Sequence, residues 1–195
     1  MNKKILAGAV LSVLSFEAMA DTPSFDYFNF GYTILNLPAR DDAAGFELRG
    51  SKSIYDNFYI TGEFLDVSKA DYDRKYSTVG LGYKNDFSDK SSFFIELDYY
   101  HLDTSADGFA TDGAIFYPFD VNENGYTAEV GFRSMITEEF EVMVAVKHLD
   151  IFDRSTTFVF GSAYNVTEVI SIYADLEYKS LSGFGEFGIG ARLNF

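Results

Sequence analysis

Apolar and polar residues alternate along most of this chain, and the alternation keeps restarting after a turn signal. Phe28, Phe30, Tyr32 and Ile34 are interleaved with Asn29, Gly31 and Thr33. Phe58, Ile60 and Phe64 are interleaved with Tyr59, Thr61 and Glu63, and Ile95, Leu97 and Tyr99 with Glu96 and Asp98. Near the end, Phe187, Ile189, Ala191, Leu193 and Phe195 are interleaved with Gly188, Gly190, Arg192 and Asn194. A period of two puts each set on its own face of an extended strand. The same pattern recurs around residues 46–49, 78–83, 126–133, 140–147, 158–161 and 170–178, which predicts ten strands.

Short links such as Tyr55-Asp56-Asn57 and Thr137-Glu138-Glu139 join alternate segments, and the other connections are mostly longer; one runs from Asp103 to Asn124. Short turns at one end and longer loops at the other describe an antiparallel up-and-down transmembrane β-barrel. The expected architecture is all-β with ten strands, or eight as the alternative, in a single domain over residues 21–195. Parity alone leaves open which face is inside. Segments of the length a tilted strand needs to cross a bilayer, and aromatics toward the segment ends, place the apolar face against lipid. A soluble ligand-binding barrel is the opposite solution. Closure also removes strand edges, which hydrocarbon does not tolerate.

The N-terminus adds a location. Lys3 and Lys4 precede an apolar run from Ile5 to Phe16, then Ala18-Met19-Ala20. This reads as a cleaved signal peptide over residues 1–20, too short to span a membrane as a helix. The chain has no cysteine, so disulfides and thiolate metal sites are excluded. Its formal charge is −15, and −16 once residues 1–20 are removed with two lysines and one glutamate. That balance argues against nucleic acid, which is bound by neutralising phosphates. The 21 Phe and 14 Tyr, with three Pro, suit strands and an interfacial belt.

The segments "DNFYITGEF", "YSTVGLGYKNDFSDKSSFFIELDYY" and "GYTAEVGFRSMITEEFEVMV" resemble the small outer-membrane β-barrel proteins of Gram-negative bacteria, the superfamily of the OmpA transmembrane domain and OmpX. Within it they look most like a group of barrels of about this length in xanthomonads and marine proteobacteria. The terminal Phe187, Ile189, Leu193 and Phe195 match the family's C-terminal signal. The resemblance implies an outer-membrane location after export through the periplasm. It also implies insertion by the barrel assembly machinery and contact with outer-membrane lipid and lipopolysaccharide. It brings no catalytic residue, and no cofactor is expected.

Hairpin register predicts interior ion pairs. A turn centred on Asp56 sets Arg49 opposite Glu63, and one centred on Glu138 sets Glu129 opposite Lys147; Glu96 is placed to meet Arg133 on an adjacent strand. Acids on this face outnumber bases, so some carboxylates must be hydrated, protonated or cation-bound. Glu177 and Glu186 are expected to oppose each other in rim water. Asp120-Val121-Asn122-Glu123-Asn124-Gly125 matches the first half of a calcium loop, but Gly131 stands where its last ligand belongs. A turn is the expectation there, with Asp120, Asn122 and Asn124 as weak metal candidates. Ile115-Phe116-Tyr117-Pro118-Phe119 is expected to pack within its own loop.

Both histidines stand in a His-Leu-Asp tripeptide, His101-Leu102-Asp103 and His148-Leu149-Asp150, with parity toward lipid. A lipid A-modifying enzyme would need such a histidine working with Ser or Asp. The expected role is nevertheless non-enzymatic: a monomeric envelope protein with a structural and surface-contact function and a mostly plugged polar interior. A narrow cation-preferring channel and a lipid-modifying enzyme are the alternatives.

Overall fold

The computed structural model describes residues 22–37, 42–111, 114–150, 154–179 and 185–195. The expected signal peptide lies outside these residues. Twelve strands follow one another: β1 (Tyr27–Asn36), β2 (Ala43–Tyr55), β3 (Phe58–Lys69), β4 (Tyr72–Ser88), β5 (Ser91–Ala106), β6 (Phe109–Thr111), β7 (Ala114–Phe116), β8 (Phe119–Met135), β9 (Phe140–Asp150), β10 (Ser155–Asn165), β11 (Ile170–Lys179) and β12 (Gly185–Asn194). Ten of them close a barrel in the order β1-β12-β11-β10-β9-β8-β5-β4-β3-β2, and β6 pairs only with β7. Every pairing is antiparallel, including the closing seam, where Tyr27 faces Asn194 and Asn36 faces Gly185. This is the all-β, ten-stranded barrel that the alternation predicted. Ten strands at normal spacing and tilt enclose a backbone cylinder roughly 20 Å across.

The turns follow from local chemistry. Asp56 adopts φ 44°, a left-handed conformation that Asp tolerates better than most residues, in the tight link from β2 to β3. Ile136-Thr137-Glu138 and Val166-Thr167-Glu168 make two matching turns. In each the Thr hydroxyl accepts backbone N–H groups ahead of it: those of Glu139 and Phe140 in the first, of Val169 and Ile170 in the second.

The long connection expected from Asp103 to Asn124 is mostly strand. β4, β5 and β8 run 17, 16 and 17 residues, well past the others, and Asp103 pairs with Asn122 in the ladder. The extra length is polar, as its predicted loop character required, yet its backbone groups are satisfied by ladder bonds. The link from β3 to β4 is also shorter than expected, just Ala70-Asp71.

The faces divide by chemistry. Phe30, Val79 and Leu97 are 58%, 63% and 63% exposed on the outside, whereas Glu47 and Arg133 are 1% and 3% exposed within. Aromatic contacts ring the outer wall at two levels. Tyr99–Tyr126 and Phe46–Phe64 lie toward the loop end; Phe58–Tyr83 and Phe93–Phe132 lie toward the turn end. Inside, large side chains lie flat over glycines of the neighbouring strand. Tyr59 covers Gly82, and Tyr173 crosses both Gly190 and Gly31, so a Cβ at these glycines would overlap a ring.

Candidate functional site

The lumen gathers the buried polar chemistry, in three layers. At the turn end, the segment before β1 folds into the mouth. Pro23 is fully buried, and Phe25, 3% exposed, packs 4.8 Å from the Tyr59 ring and 6.0 Å from Phe94. The Arg133 guanidinium stacks 4.5 Å above Phe25 and binds Glu141 through two hydrogen bonds of 2.8 and 2.9 Å. Arg192 stacks 4.5 Å over Tyr27, donates to Asn29 at 2.9 Å and lies 3.5 Å from Glu141. Asp26 fastens the segment to the rim, accepting from the Ser53 N–H and the Lys52 ammonium, each at 2.6 Å. Burial acts against its ionisation, but the bonds from Lys52 and Ser53 outweigh it and hold the Asp26 carboxyl below the usual range.

The middle layer is a charge network. Arg49 lies 3.1 Å from Glu63, 3.4 Å from Glu47 and 3.9 Å from Glu177. Lys147 lies 2.5 Å from Glu177 and 3.8 Å from Glu129. Hydroxyls satisfy other oxygens: Tyr76 and Tyr59 donate to Glu63 and Glu96, Thr127 to Asp98, and Thr33 to Glu47. Asp98 Oδ1 and Asp175 Oδ1 are buried with no hydrogen-bond partner. The cavity that this layer surrounds has a free volume of about 60 Å³, room for a few waters.

Toward the loop end, Leu35, Leu37, Ala43, Leu65, Val67, Tyr76 and Tyr100 form an apolar wall on the β1–β5 side, joined by Leu102 and Leu149. Tyr76 and Tyr100 stack at 5.1 Å, and Arg74 donates to the Tyr100 hydroxyl at 3.3 Å. Arg74, Lys179 and Glu186 also line the cavity.

The predicted pairs fare differently. Arg49 stands opposite Glu63 and Glu129 opposite Lys147, and both pairs lie within 4 Å. Glu96 does not meet Arg133. Its register partner is Glu129, while Arg133 faces Ser92, four residues away, and turns to Glu141. Glu177 and Glu186 oppose each other as expected, but not in rim water: Glu177 is buried and takes the Lys147 ammonium, and Glu186 faces the cavity.

Asp120, Asn122 and Asn124 belong to no turn. They occupy alternate positions of β8, paired with Ser105, Asp103 and His101. Extended backbone separates Asp120 from Asn124 by roughly 13 Å, which prevents convergence on one ion. Among the described residues no group of three His, Cys, Asp or Glu forms a metal-binding arrangement. Tyr117 is 78% exposed and Phe119 is also exposed rather than packed in a loop; the side chains of Ile115 and Phe116 lie outside the described residues. His101 Nδ1 meets the Asn124 side chain at 2.9 Å, and His148 Nδ1 meets the Thr156 hydroxyl at 3.3 Å. Of the terminal set, Phe187, Ile189, Leu193 and Phe195 all face outward, and the Phe195 N–H donates to Asp26 O at 3.2 Å.

Sequence reasoning missed Glu141, the shared partner of Arg133 and Arg192. Its parity with Ala145 and Lys147 was the available signal. Phe25 and Tyr27 were passed over because they precede the first clean alternation.

No protein-family model matches the chain, and no curated protein matches it in sequence. Solved structures do match. The KdgM porin in complex with disordered oligogalacturonate is 12% identical, over 87% of this chain and 99% of that one, with a TM-score of 0.49. Ail, the attachment invasion locus protein of Yersinia pestis, in complex with the heparin analogue sucrose octasulfate, is 12% identical over 87% and 95%, with a TM-score of 0.43. The N-terminal β-barrel domain of Pseudomonas aeruginosa OprF is 11% identical over 87% and 98%, again with a TM-score of 0.43. All three are outer-membrane β-barrels.

Proposed function

We propose that this chain is an integral outer-membrane β-barrel protein with a structural and surface-contact role and a lumen closed at rest. The carrying observation is the inverted distribution of chemistry: a continuous apolar, aromatic-edged exterior around a barrel whose buried interior holds the charges. In water such a surface would aggregate; in a bilayer it is the solvated face. The small free volume of the lumen and the Phe25 wedge support the closed state. Both histidines engage an amide or hydroxyl rather than a Ser or acidic partner, which supports a non-enzymatic reading. The projecting β4–β5–β8 sheet is the surface offered beyond the membrane, and lipopolysaccharide and the barrel assembly machinery are the expected contacts.

Membrane fractionation of cells making the protein, followed by planar-bilayer recording of the purified barrel, tests this. The protein should sediment with the outer membrane, require detergent and pass no steady current. Recovery as a freely soluble protein overturns the reading. A cation-preferring channel is the second reading, favoured by the excess of carboxylates over cationic groups along the lumen; a steady cation current in the unmodified protein would establish it.

A further inference from the structure

We propose that the segment Thr22–Asp26 is a retractable stopper, and that its withdrawal turns the closed barrel into a path for small monovalent cations. This rests on the membrane-barrel reading above.

The central cavity, with room for a few waters, has residues from both ends of the lumen in its lining. Leu149, Lys179 and Glu186 border it toward the loop end, and Phe25 with Tyr27 and Phe94 forms its floor. Tyr27 and Phe94 belong to the barrel wall, and Phe25 is the part of this floor that the segment before β1 supplies. Phe25 is held by contacts that reverse without breaking a ladder: the rings of Tyr59 and Phe94, the cations of Arg133 and Lys84 at 4.5 and 5.2 Å, and the apolar cluster it shares with Ala145 and Val159. The latch behind it, Asp26, is tied at the rim to Lys52, whose side chain is half exposed. The β1 ladder starts at Tyr27; withdrawal of Thr22–Asp26 breaks the backbone bond from Phe195 N–H to Asp26 O at 3.2 Å but leaves the paired strands, and so the closed barrel, in place.

The lining sets the ion. Six carboxylates (Glu63, Glu96, Asp98, Glu129, Glu177 and Glu186) face the cavity. Once Arg133 is assigned to Glu141, four cationic groups oppose them: Arg49, Arg74, Lys147 and Lys179. Asp98 lines this space, and its Oδ1, packed over Gly80, is buried without a hydrogen-bond partner. A lumen with surplus negative charge admits cations and repels anions.

Planar-bilayer recording in a potassium chloride gradient tests the stopper, using wild type, Phe25→Ala and Asp26→Ala. Folding of each is checked independently by the mobility difference between boiled and unboiled protein. Wild type should be quiet, both variants should open at least tenfold more often, and their reversal potential should move toward that of potassium. In Phe25→Cys, the only thiol in the chain, a charged thiol reagent added to the turn-end side should hold the path open. Folded variants that stay silent overturn the stopper while leaving the barrel reading intact. Anion-selective currents, or equal currents in wild type and variants, overturn it as well. Failure of the wild type to enter membranes would instead strike the barrel reading.

Discussion

Arg133 reaches diagonally along the β8–β9 hairpin to bind both carboxylate oxygens of Glu141 through its Nε–Nη2 edge, rather than pairing with the acid of the strand on its other side. Glu141 also lies 3.5 Å from Arg192, so one carboxylate serves two arginines, one from its own hairpin and one from β12. Removing its charge leaves two buried guanidinium groups without a counter-ion. Glu141→Gln should cost about 3–5 kcal/mol in urea unfolding from vesicles. The triple change Arg133→Met, Glu141→Leu, Arg192→Met should cost less than the single one, because no buried charge is then stranded.

The exterior makes an opposite demand. Leu97 sits on the apolar outer face midway along β5, flanked by Leu81 on β4 and Ala128 on β8. Leu97→Arg should destabilise the inserted barrel by about 2–4 kcal/mol. The same change at Tyr55, exposed beside a turn, should cost well under half as much. Equal penalties at both sites would contradict a lipid-facing Leu97.

Gly82 tests the packing inside. The Tyr59 ring lies where a Cβ on Gly82 would stand, and the Tyr59 hydroxyl donates to Glu96 at 2.8 Å. Gly82→Val pushes the ring off the wall and breaks that bond. It should lower stability by about 1–3 kcal/mol, read as a shift of the urea midpoint. Gly62 has no such neighbour, its nearest being the Thr78 carbonyl at 3.4 Å, so Gly62→Ala should change the midpoint little.

Asp26 carries a pH dependence. Its carboxyl is held below the ordinary value of 3.8 by Lys52 and Ser53. A depressed pKa means that the latch contributes fully above that value and weakens as pH falls through the lower, folded one. The turn-end mouth should therefore stay latched from neutrality down to roughly pH 4 and loosen only below it. Reaction of Phe25→Cys with a charged disulfide reagent that remains active in acid checks this, each rate being divided by that of a free thiol at the same pH to remove the thiolate's own pH dependence: the ratio should be flat across the neutral range and rise at the acid end. In Asp26→Asn the acid-end rise should disappear.

Much of this was legible in the residues. Period-two alternation marked every barrel strand, because a strand between an apolar exterior and a polar lumen must separate its side chains by parity. Hairpin partners followed wherever a short turn fixed the register, which is how Arg49 met Glu63 and Glu129 met Lys147. Glu96 and Arg133 failed because they lie on β5 and β8, joined by a long excursion through β6 and β7 whose length sets no register. The D-x-N-x-N-G run misled for a related reason. Its composition suits a turn, but tertiary pairing with β5 supplied ladder bonds that overrode local preference.

The chain's order of residues marked, by itself, the ten strands that close the barrel, which face of each is apolar and which hairpins pair, since these depend on spacing between neighbours; the short β6–β7 pair was not among them. Closure decided the rest. Only when β12 meets β1 does Arg192 come to the Arg133–Glu141 pair that the β8–β9 hairpin already holds, Tyr173 find two glycines to lie across, and Phe25 acquire a mouth to fill. Those contacts join residues far apart in sequence, and their geometry exists only once the ring of hydrogen bonds is complete.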